Sequence, residues 1–479
     1  MDVMRDRYSN PLVRRYAGEE ISYIFSDDYK FKKWRSCWIA LAEAQQELGL
    51  NILKEQVAEL KGKEKNLNFE VMAAKEKELR HDVMAALLAY GEQCPLAKPI
   101  IHLGATSCFV TGNTELIQYY EALKLIRTLL INLIKALSDF AGKYKSLQCL
   151  GYTHFQPAQP TTLGKRGTLW LQELAINLED LDYLLANYRI RGIKGATGTQ
   201  DSFLKLFSGD HGKVKKLNDL VCEKLGFSRS FPVTGQTYPR LWDARIMDIL
   251  KNISLSAHKF GVDFRLMQHL QMVDEPFGSK QVGSSAMAYK KNPMRCERIC
   301  SLARYVISQG AAADHTAANQ WLERSLDDSA GRRLYLPQAF LGVDAQLTIY
   351  RNVVEGMKVY PIVIKKLLDS ELPFLATETI IMEGVKKGGD RQLLHEAIRE
   401  RAVETAGEIK ELGRENRLLE KLGEDERLPF SPEELQKIAY KGDFSGRAEK
   451  QVEEYLDEYI KPLLAEHSEL LGAGREMKL

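Results

Sequence analysis

A short loop that begins at Gly283 sets hydroxyl groups directly before cations, a combination suited to acid–base chemistry on an anion. Gly283 allows backbone angles that a side chain would forbid, and Ser284 and Ser285 carry oxygen atoms that can accept protons. Lys290 and Asn292 follow, and both could stabilise a carboxylate that gains charge during a reaction. The composition alone is more typical of a solvated surface loop, so the loop by itself is only a candidate site.

Ser284 needs assistance if it is to act as a base, because an isolated serine hydroxyl is a very poor one. Backbone N–H groups around Gly283 and the charge of Lys290 could stabilise its alkoxide in a closed, dry site. Ser285 is the nearest alternative for the same role, and an inert loop serine is the remaining interpretation. The residues alone leave these three possibilities open.

His154 is a candidate general acid on a stretch of chain that is not expected to be helical. Pro157 and Pro160 disfavour a regular helix past Phe155, so the histidine is predicted to lie in a loop. An imidazole has a reference pKa near ~6.5, and can therefore carry a proton at neutral pH and deliver it to a poor leaving group. A loop histidine can also be structural or merely exposed.

Arginines are the residues best suited to hold a phosphate group, because the guanidinium fork matches phosphate oxygens. The candidates are Arg15, Arg298, Arg324 and Arg333. Taken individually, each arginine is more typical of a surface ion pair than of a ligand.

Metal binding is not indicated. Glu78 and His81 form an ExxH pair, the spacing that di-iron bundles use, but such a site needs two of these motifs and the sequence has one. If His81 lies on a helix, it is expected to belong to a polar surface whose side chains form hydrogen bonds with each other or with water. Of the seven cysteines only Cys296 and Cys300 are close, and no second pair completes a zinc site. We interpret the cysteines as reduced thiols and expect a cytoplasmic protein.

Several other classes of protein are disfavoured by the sequence. It contains no GxxxxGK[ST], no GxGxxG after a predicted strand and no HExxH, which argues against an NTPase, a dehydrogenase and a zinc hydrolase. The 67 basic and 65 acidic residues give a net charge of only +2, so neither nucleic-acid nor membrane-surface binding is indicated. No apolar run approaches the ~18 residues of a membrane span, and the first residues lack a secretory pattern.

Long amphipathic helices are the elements that must position these groups. Apolar residues recur mostly at every third or fourth position over residues 123–140, 171–188 and 246–267, and no proline interrupts them. At ~1.5 Å per residue such helices reach ~35–40 Å. Stripes of this kind are typical of bundle packing rather than of cofactor binding. We therefore predict an all-α fold.

The length of the chain predicts more than one domain, because 479 residues exceed the ~250–300 at which a single core stops growing. The turn-rich stretch at residues 104–113 and the change near Tyr360 are the natural boundaries. Apolar seams wider than one chain can cover suggest self-association. The predicted division is an N-terminal helical domain (1–111), a central long-helix bundle (112–359) with the loop 282–294, and a C-terminal helical domain (360–479).

Three separated segments carry patterns that occur together in one known superfamily. They are GSSAMAYKKN at the Gly283 loop, HLGATSCFVTGNT around Thr106 and Ser107, and GYTHFQPAQPTTLGKR around Thr153 and His154. The first resembles the signature GSSxMPxKxN of the fumarase/aspartase superfamily. Its continuation, YKKNPMRCERICSLAR, resembles the adenylosuccinate lyase family of the eukaryotic type. Further similar stretches lie in the expected order at residues 10–17, 79–83, 193–200, 234–238 and 323–329.

The resemblance implies roles for individual residues. It makes His154 the acid toward a departing purine nitrogen and Ser284 the base that takes a proton from the carbon beside a carboxylate. The dianion formed would then be stabilised by Lys290 and Asn292. The implied substrate-binding residues are Arg15, Tyr16, Arg324, Ser329 and Arg333 toward the nucleotide, Thr106, Ser107, Thr153 and Gln236 toward the succinyl part, and in addition Arg80, His81, Asp82 and Arg298.

The resemblance also implies an activity. A member of this family eliminates fumarate from adenylosuccinate to give AMP, and from succinylaminoimidazole carboxamide ribotide (SAICAR) to give AICAR. It is a homotetramer with sites shared between subunits, and no metal or organic cofactor is implied. The alternatives are another fumarate-releasing lyase, of the argininosuccinate lyase type, which would need no phosphate site, and a non-catalytic scaffold of the same fold. Intact His154, Ser284 and Lys290 argue against the scaffold.

One position departs from the superfamily signature. Residue 288 is alanine where the signature has proline, so the loop loses a fixed φ angle and gains a backbone N–H. The residue type at position 288 therefore does not fix how stiff the loop is or how readily it closes. None of the groups that would perform the chemistry is missing.

Overall fold

The computed structural model describes residues 6–473 and 477, and most of this chain is helical, which confirms the all-α prediction. The helices are α1 (Glu19–Ile24), α2 (Asp27–Glu47), α3 (Lys54–Lys63), α4 (Phe69–Leu79), α5 (Asp82–Gln93), α6 (Ser107–Lys143), α7 (Leu163–Ala186), α8 (Asp201–Leu206), α9 (His211–Lys224), α10 (Leu241–His269), α11 (Met294–Ala318), α12 (Asp328–Gly356), α13 (Pro361–Leu375), α14 (Thr377–Lys386), α15 (Arg391–Leu412), α16 (Leu418–Gly423), α17 (Pro432–Lys441), α18 (Ala448–Tyr455) and α19 (Lys461–Glu466).

Shorter elements join these helices. There are π-helical turns at Leu12–Tyr16 and Leu456–Ile460 and 3₁₀ turns at Lys98–Ile100 and Ser468–Leu470. Strand β1 (Gln148–Thr153) pairs antiparallel with β2 (Gln156–Thr162), and β3 (Val273–Asp274) pairs antiparallel with β4 (Lys358–Val359).

Five long helices, α6, α7, α10, α11 and α12, form the central bundle. The three predicted apolar stripes lie along α6, α7 and α10, and most of their residues are buried. Helix α6 has 37 residues and is therefore about 55 Å long, beyond the predicted length, because its buried face continues toward its start through Leu116 and Phe109. None of the helices in the described part of the chain is long and apolar enough to cross a membrane.

Contacts between the helices define two ends of the bundle. Arg332, near the start of α12, binds both Glu115 near the start of α6 and Asp243 near the start of α10, so these three helices run in the same direction. Helix α7 runs the opposite way, since Trp170 bonds to Asp263 on α10. Helix α11 likewise returns between α10 and α12. We call the end where α6, α10 and α12 begin the head of the bundle, and the end where they finish its tail.

Three buried apolar clusters support the fold. The largest fills the bundle and also includes Leu12 from the first turn and Val452 from α18. The second surrounds Trp38 on α2 and extends to Leu217 on α9, and the third lies among α14–α17 around Leu394. The domain limits at residues 111 and 359 stay a prediction, and α6 begins four residues before the first of them, at Ser107.

Candidate active site

His154 lies at the tip of a β-hairpin at the tail of the bundle. Thr153 and Gln156 pair across the hairpin, which leaves His154 and Phe155 as a two-residue turn with φ values of 52° and 58°. Two consecutive positive φ angles are what a type I′ turn requires, a geometry that usually selects asparagine or glycine. The turn presents the imidazole to the outside of the chain, where it is exposed.

The Gly283 loop follows α10 and therefore also lies at the tail. Its Ser284 hydroxyl oxygen accepts two backbone N–H groups, from Ala286 at 3.3 Å and from Met287 at 3.1 Å. The Asn292 side-chain amide donates to the Gly283 carbonyl at 2.9 Å and closes the loop. A Cβ atom at Gly283 would collide with the carbonyl oxygen of Lys290, so glycine is required there. The loop thus surrounds one serine oxygen with hydrogen-bond donors.

The two lysines of this loop have different environments. Lys291 forms an ion pair with Asp274 at 3.0 Å, whereas no residue in the described ranges forms an ion pair with Lys290, which is exposed. Ser285 is also exposed. Of the two cations, Lys290 is therefore the one whose charge is available to an incoming anion.

A buried carboxylate that we did not predict anchors the loop to α11. Glu275 is 7% exposed, and its two oxygens accept the N–H groups of Arg295 at 2.9 Å and of Cys296 at 2.6 Å. Burial raises the pKa of Glu275, against the effect of these two bonds. A capping residue is normally recognised next to the helix start, whereas Glu275 lies 20 positions before Arg295.

At the same end of the bundle, two of the predicted substrate-binding residues meet. The Arg298 guanidinium stacks over the Tyr16 ring, 5.3 Å from its centre. Arg15, the residue before Tyr16, is exposed. The tail therefore carries Arg15, Tyr16 and Arg298 in addition to the Gly283 loop.

His81 lies between two helices rather than within one. Arg80 ends α4 with a left-handed φ of 51°, and His81 precedes α5 as its N-cap, where Nδ1 accepts the Met84 N–H at 3.3 Å. Glu78 and His81 are consequently not on one continuous helix. Within residues 6–473 and 477, no group of three or more His, Cys, Asp or Glu is placed to hold a metal ion.

The head of the bundle gathers a second set of predicted residues. His81 Nε2 lies 3.5 Å from the Ser107 hydroxyl at the start of α6, with Thr106 as the N-cap of that helix. Arg333 approaches Asp82 at 3.7 Å. A cavity of about 250 Å³ opens beside Asp82 and Arg333.

The remaining predicted contacts join this head cluster. The Gln236 N–H donates to the Glu323 carbonyl at 3.0 Å, and the next residue, Arg324, donates to the Cys108 sulfur at 2.8 Å. Ser329 lies in the first turn of α12, which begins at Asp328. Gln236, Arg324 and Ser329 are therefore close to Ser107, although they come from distant parts of the sequence.

Below the head cluster lies a buried charge network that we did not predict. Arg332 is bonded to Asp243 at 2.7 Å and to Glu115 at 2.9 Å, and Arg240 is bonded to Asp328 at 2.6 Å. Burial alone would lower the pKa of Arg332, but Asp243 and Glu115 raise it well above its ordinary value. The network joins the first three turns of α6 to the start of α10 and of α12, and so fixes the position of the head cluster.

A single chain divides the predicted site between the two ends of the bundle. Ser107 and His154 are separated by the whole of α6, 37 residues or about 55 Å. Gln236 and Ser284 are separated by the whole of α10, 29 residues or about 44 Å. One chain brings the head residues together, but it places His154 and the Gly283 loop at the other end of the bundle.

Comparison with known proteins agrees with these motifs. Residues 19–308 match a family model described as lyase, and residues 373–455 match one described as adenylosuccinate lyase C-terminus. The chain is 47% identical to an adenylosuccinate lyase of Saccharomyces cerevisiae, over 96% of either chain. It is 46% identical to the adenylosuccinate lyase of Schistosoma mansoni, over 99% of either chain.

Solved structures show the same fold at lower sequence identity. A fumarate lyase from Mesorhizobium sp. BNC1 superposes with a TM-score of 0.80 at 20% identity, covering 94% of this chain and 99% of that one. A β-carboxy-cis,cis-muconate cycloisomerase from Acinetobacter calcoaceticus also gives a TM-score of 0.80, at 19% identity, with 94% and 100% covered. The family models, the relatives and the three signature segments together establish that the chain belongs to the adenylosuccinate lyase family.

Proposed function

We propose that this protein cleaves adenylosuccinate into fumarate and AMP, and SAICAR into fumarate and AICAR. The observation that carries the proposal is the Gly283 loop, where two backbone N–H groups converge on the Ser284 oxygen within a few residues of Lys290. This arrangement suits the removal of a proton next to a carboxylate. The substrates are those that the names of the similar proteins and the family resemblance suggest.

The proposed reaction is an elimination. Ser284, as the alkoxide, takes the proton from the carbon beside one succinyl carboxylate, and the electron pair passes into that carboxylate. Lys290 and Asn292 stabilise the dianion. The bond from the neighbouring carbon to the purine nitrogen then breaks, and His154 gives a proton to the departing nitrogen. The products are fumarate and the amine.

The hydrogen bonds of the loop favour Ser284 over Ser285 as the base. An oxygen that already accepts two N–H groups is stabilised when it carries negative charge, because those donors are oriented before the reaction begins. The Ser284 oxygen has such donors at 3.1 and 3.3 Å. Ser285 instead lies exposed on the loop.

We further propose that the working enzyme is a homotetramer in which each site takes residues from different subunits. The length of α10, about 44 Å from the end near Gln236 to the end near the Gly283 loop, supports this, because a single nucleotide is much shorter and cannot touch both ends in one chain. A second chain packed antiparallel would bring its tail beside the first chain's head. The head would hold the substrate through Arg324, Ser329 and Arg333, and the tail would supply Ser284 and Lys290.

The cellular setting is part of the same proposal. All seven cysteines are buried thiols, which supports a reducing compartment and hence the cytoplasm. The small molecules named above are the proposed partners, and the proposed chemistry uses no cofactor.

Fumarate release tests the function directly. Purified protein is incubated separately with adenylosuccinate, argininosuccinate and aspartate, and fumarate is followed by its ultraviolet absorbance. We expect release from adenylosuccinate alone. Release from argininosuccinate but not adenylosuccinate would overturn the assignment, and no release from any of them would favour a scaffold.

A further inference from the structure

A second cavity, of about 450 Å³, lies between the glycine-containing loop at residues 195–200 and helix α9. None of its lining residues belongs to the proposed active site. Its size is within the ~300–1,000 Å³ of small-molecule pockets and exceeds what a simple inorganic ion needs. Its lining includes the polar residues Lys194, Thr199, His211, Lys215, Asp219 and Ser230.

Lys194 is the unusual member of this lining. It is only 5% exposed, and across residues 6–473 and 477 no hydrogen bond or ion pair reaches its ammonium group. Burial lowers the pKa of Lys194. The Cys222 thiol and the Asp219 carboxylate oppose this effect on the pKa, but among the described residues neither forms a hydrogen bond or ion pair with the ammonium. A largely buried charge with no bonded partner is costly.

The wall around Lys194 is held rigid by other residues. The Asn218 side chain accepts the Ile193 N–H at 3.2 Å and donates to Ser230 at 2.9 Å. Gln200 donates to the Ile193 carbonyl at 2.6 Å. These bonds satisfy the neighbouring polar groups, so the Lys194 ammonium is left to face the cavity.

We propose that this cavity is an anion site, separate from the active site, that binds a small phosphate monoester bearing hydroxyl groups. Lys194 would meet the phosphate, and Lys215 at the exposed rim would add positive charge. Asp219 and Ser230 are suited to sugar hydroxyls, because a carboxylate accepts hydrogen bonds from them and a serine hydroxyl can both donate and accept. A sugar phosphate uses both sets of groups and should therefore bind more tightly than inorganic phosphate.

Calorimetric titration with ribose 5-phosphate and with inorganic phosphate tests this proposal. The variants are Lys194→Met and, as a matched control, Lys216→Gln, which removes an exposed lysine of α9 that does not line the cavity. We expect Lys194→Met to weaken ribose 5-phosphate binding by about tenfold or more, as for a lost charge-assisted hydrogen bond, and Lys216→Gln to change nothing. Equal affinity in Lys194→Met and the wild type would overturn the proposal.

A parallel titration separates this cavity from the active site. Arg324→Ala should weaken phosphate binding at the head of the bundle and leave the Lys194-dependent binding intact. Loss of all binding in Arg324→Ala would mean that the active site is the only anion site. This comparison needs no turnover, so failure of the proposed activity would not be mistaken for failure of this inference.

Thermal unfolding supplies an independent readout. Without ligand, Lys194→Met should unfold at the same temperature as the wild type or higher, because it removes an unpaired buried charge. A clearly lower midpoint would show that Lys194 is satisfied in the fold, and would overturn the proposal. If Lys194→Met does not fold, Lys215→Gln at the rim is the alternative. It should weaken ribose 5-phosphate binding about threefold, and unchanged binding would count against the site.

Discussion

Two adjacent arginines of α12 should respond to the same substitution in opposite ways. The Arg332 side chain is 3% exposed and bonded to Asp243, which is 0% exposed, whereas Arg333 is 66% exposed and 3.7 Å from Asp82. Replacing Arg332 with methionine keeps most of the volume but leaves buried carboxylates without their partner. Replacing Arg333 with methionine removes a solvated contact only.

The expected magnitudes follow from this difference in burial. Removing one partner of a buried ion pair costs about 3–5 kcal/mol of stability, so Arg332→Met should lower the apparent free energy of unfolding by that amount. A solvated pair contributes about 0–1 kcal/mol, so Arg333→Met should leave unfolding almost unchanged. Because Arg333 lies in the proposed substrate site and Arg332 does not, Arg333→Met should instead raise KM.

Urea unfolding at one fixed protein concentration measures both variants, and steady-state release of fumarate measures KM. Two further variants, Asp243→Asn alone and Arg332→Met with Asp243→Asn, complete a double-mutant cycle. Removing the orphaned charge should recover part of the loss, and the deviation from additivity gives the energy of the pair. If Arg332→Met cost no more than Arg333→Met, the buried network would not be what fixes the head cluster.

Three further outcomes are expected. His154→Ala and Ser284→Ala should each lower turnover by ~10² or more with unchanged circular dichroism, and a near-normal rate for Ser284→Ala would move the base elsewhere. Ala288→Pro should be tolerated, because residue 288 is the second position of a turn closed by the Lys290 N–H and the Met287 carbonyl, where proline is favoured. Stability should rise by about 0.4–1 kcal/mol, and a loss would show that the turn rejects proline. Burial and the nearby His81 lower the pKa of His102 to about 4. The unfolded chain therefore binds the extra proton first, so stability should fall by up to about 1.4 kcal/mol per unit as the pH drops from about 6.5 to 4. His102→Gln should flatten this slope, and an identical slope in both proteins would contradict it.

The helices could be predicted because burying one face of a long helix imposes a repeat of three and four that is visible along the chain. The stripe over residues 246–267 is an example, and it lies along α10 as expected. The hairpin that carries His154 could not be predicted, because no sequence pattern marks its turn. Its turn uses two positive φ angles, but His154 and Phe155 are not the residues that normally mark such a turn.

The site was harder to predict than the fold, because its geometry depends on contacts between distant segments. Nothing local distinguishes Arg332 from Arg333, yet one is buried in an ion network and the other faces solvent. Glu275 supports a helix that starts about 20 residues later, a distance over which no capping pattern operates. The family resemblance identified the predicted site residues. Only the structure shows which of them lie at the head of the bundle and which at the tail.

Reassembly of two inactive variants tests the central claim, that adenylosuccinate is cleaved at sites shared between subunits. The family resemblance implies that His154 and Ser284 of one site belong to different chains. His154→Ala and Ser284→Ala proteins are dissociated, mixed in equal amounts and reassociated, and fumarate release from adenylosuccinate is compared with that of each parent. Random mixing should restore about a quarter of the wild-type sites, because half the chains can supply the histidine and half the serine. Mixed tetramers, verified by native mass spectrometry, with no activity above either parent would contradict the account.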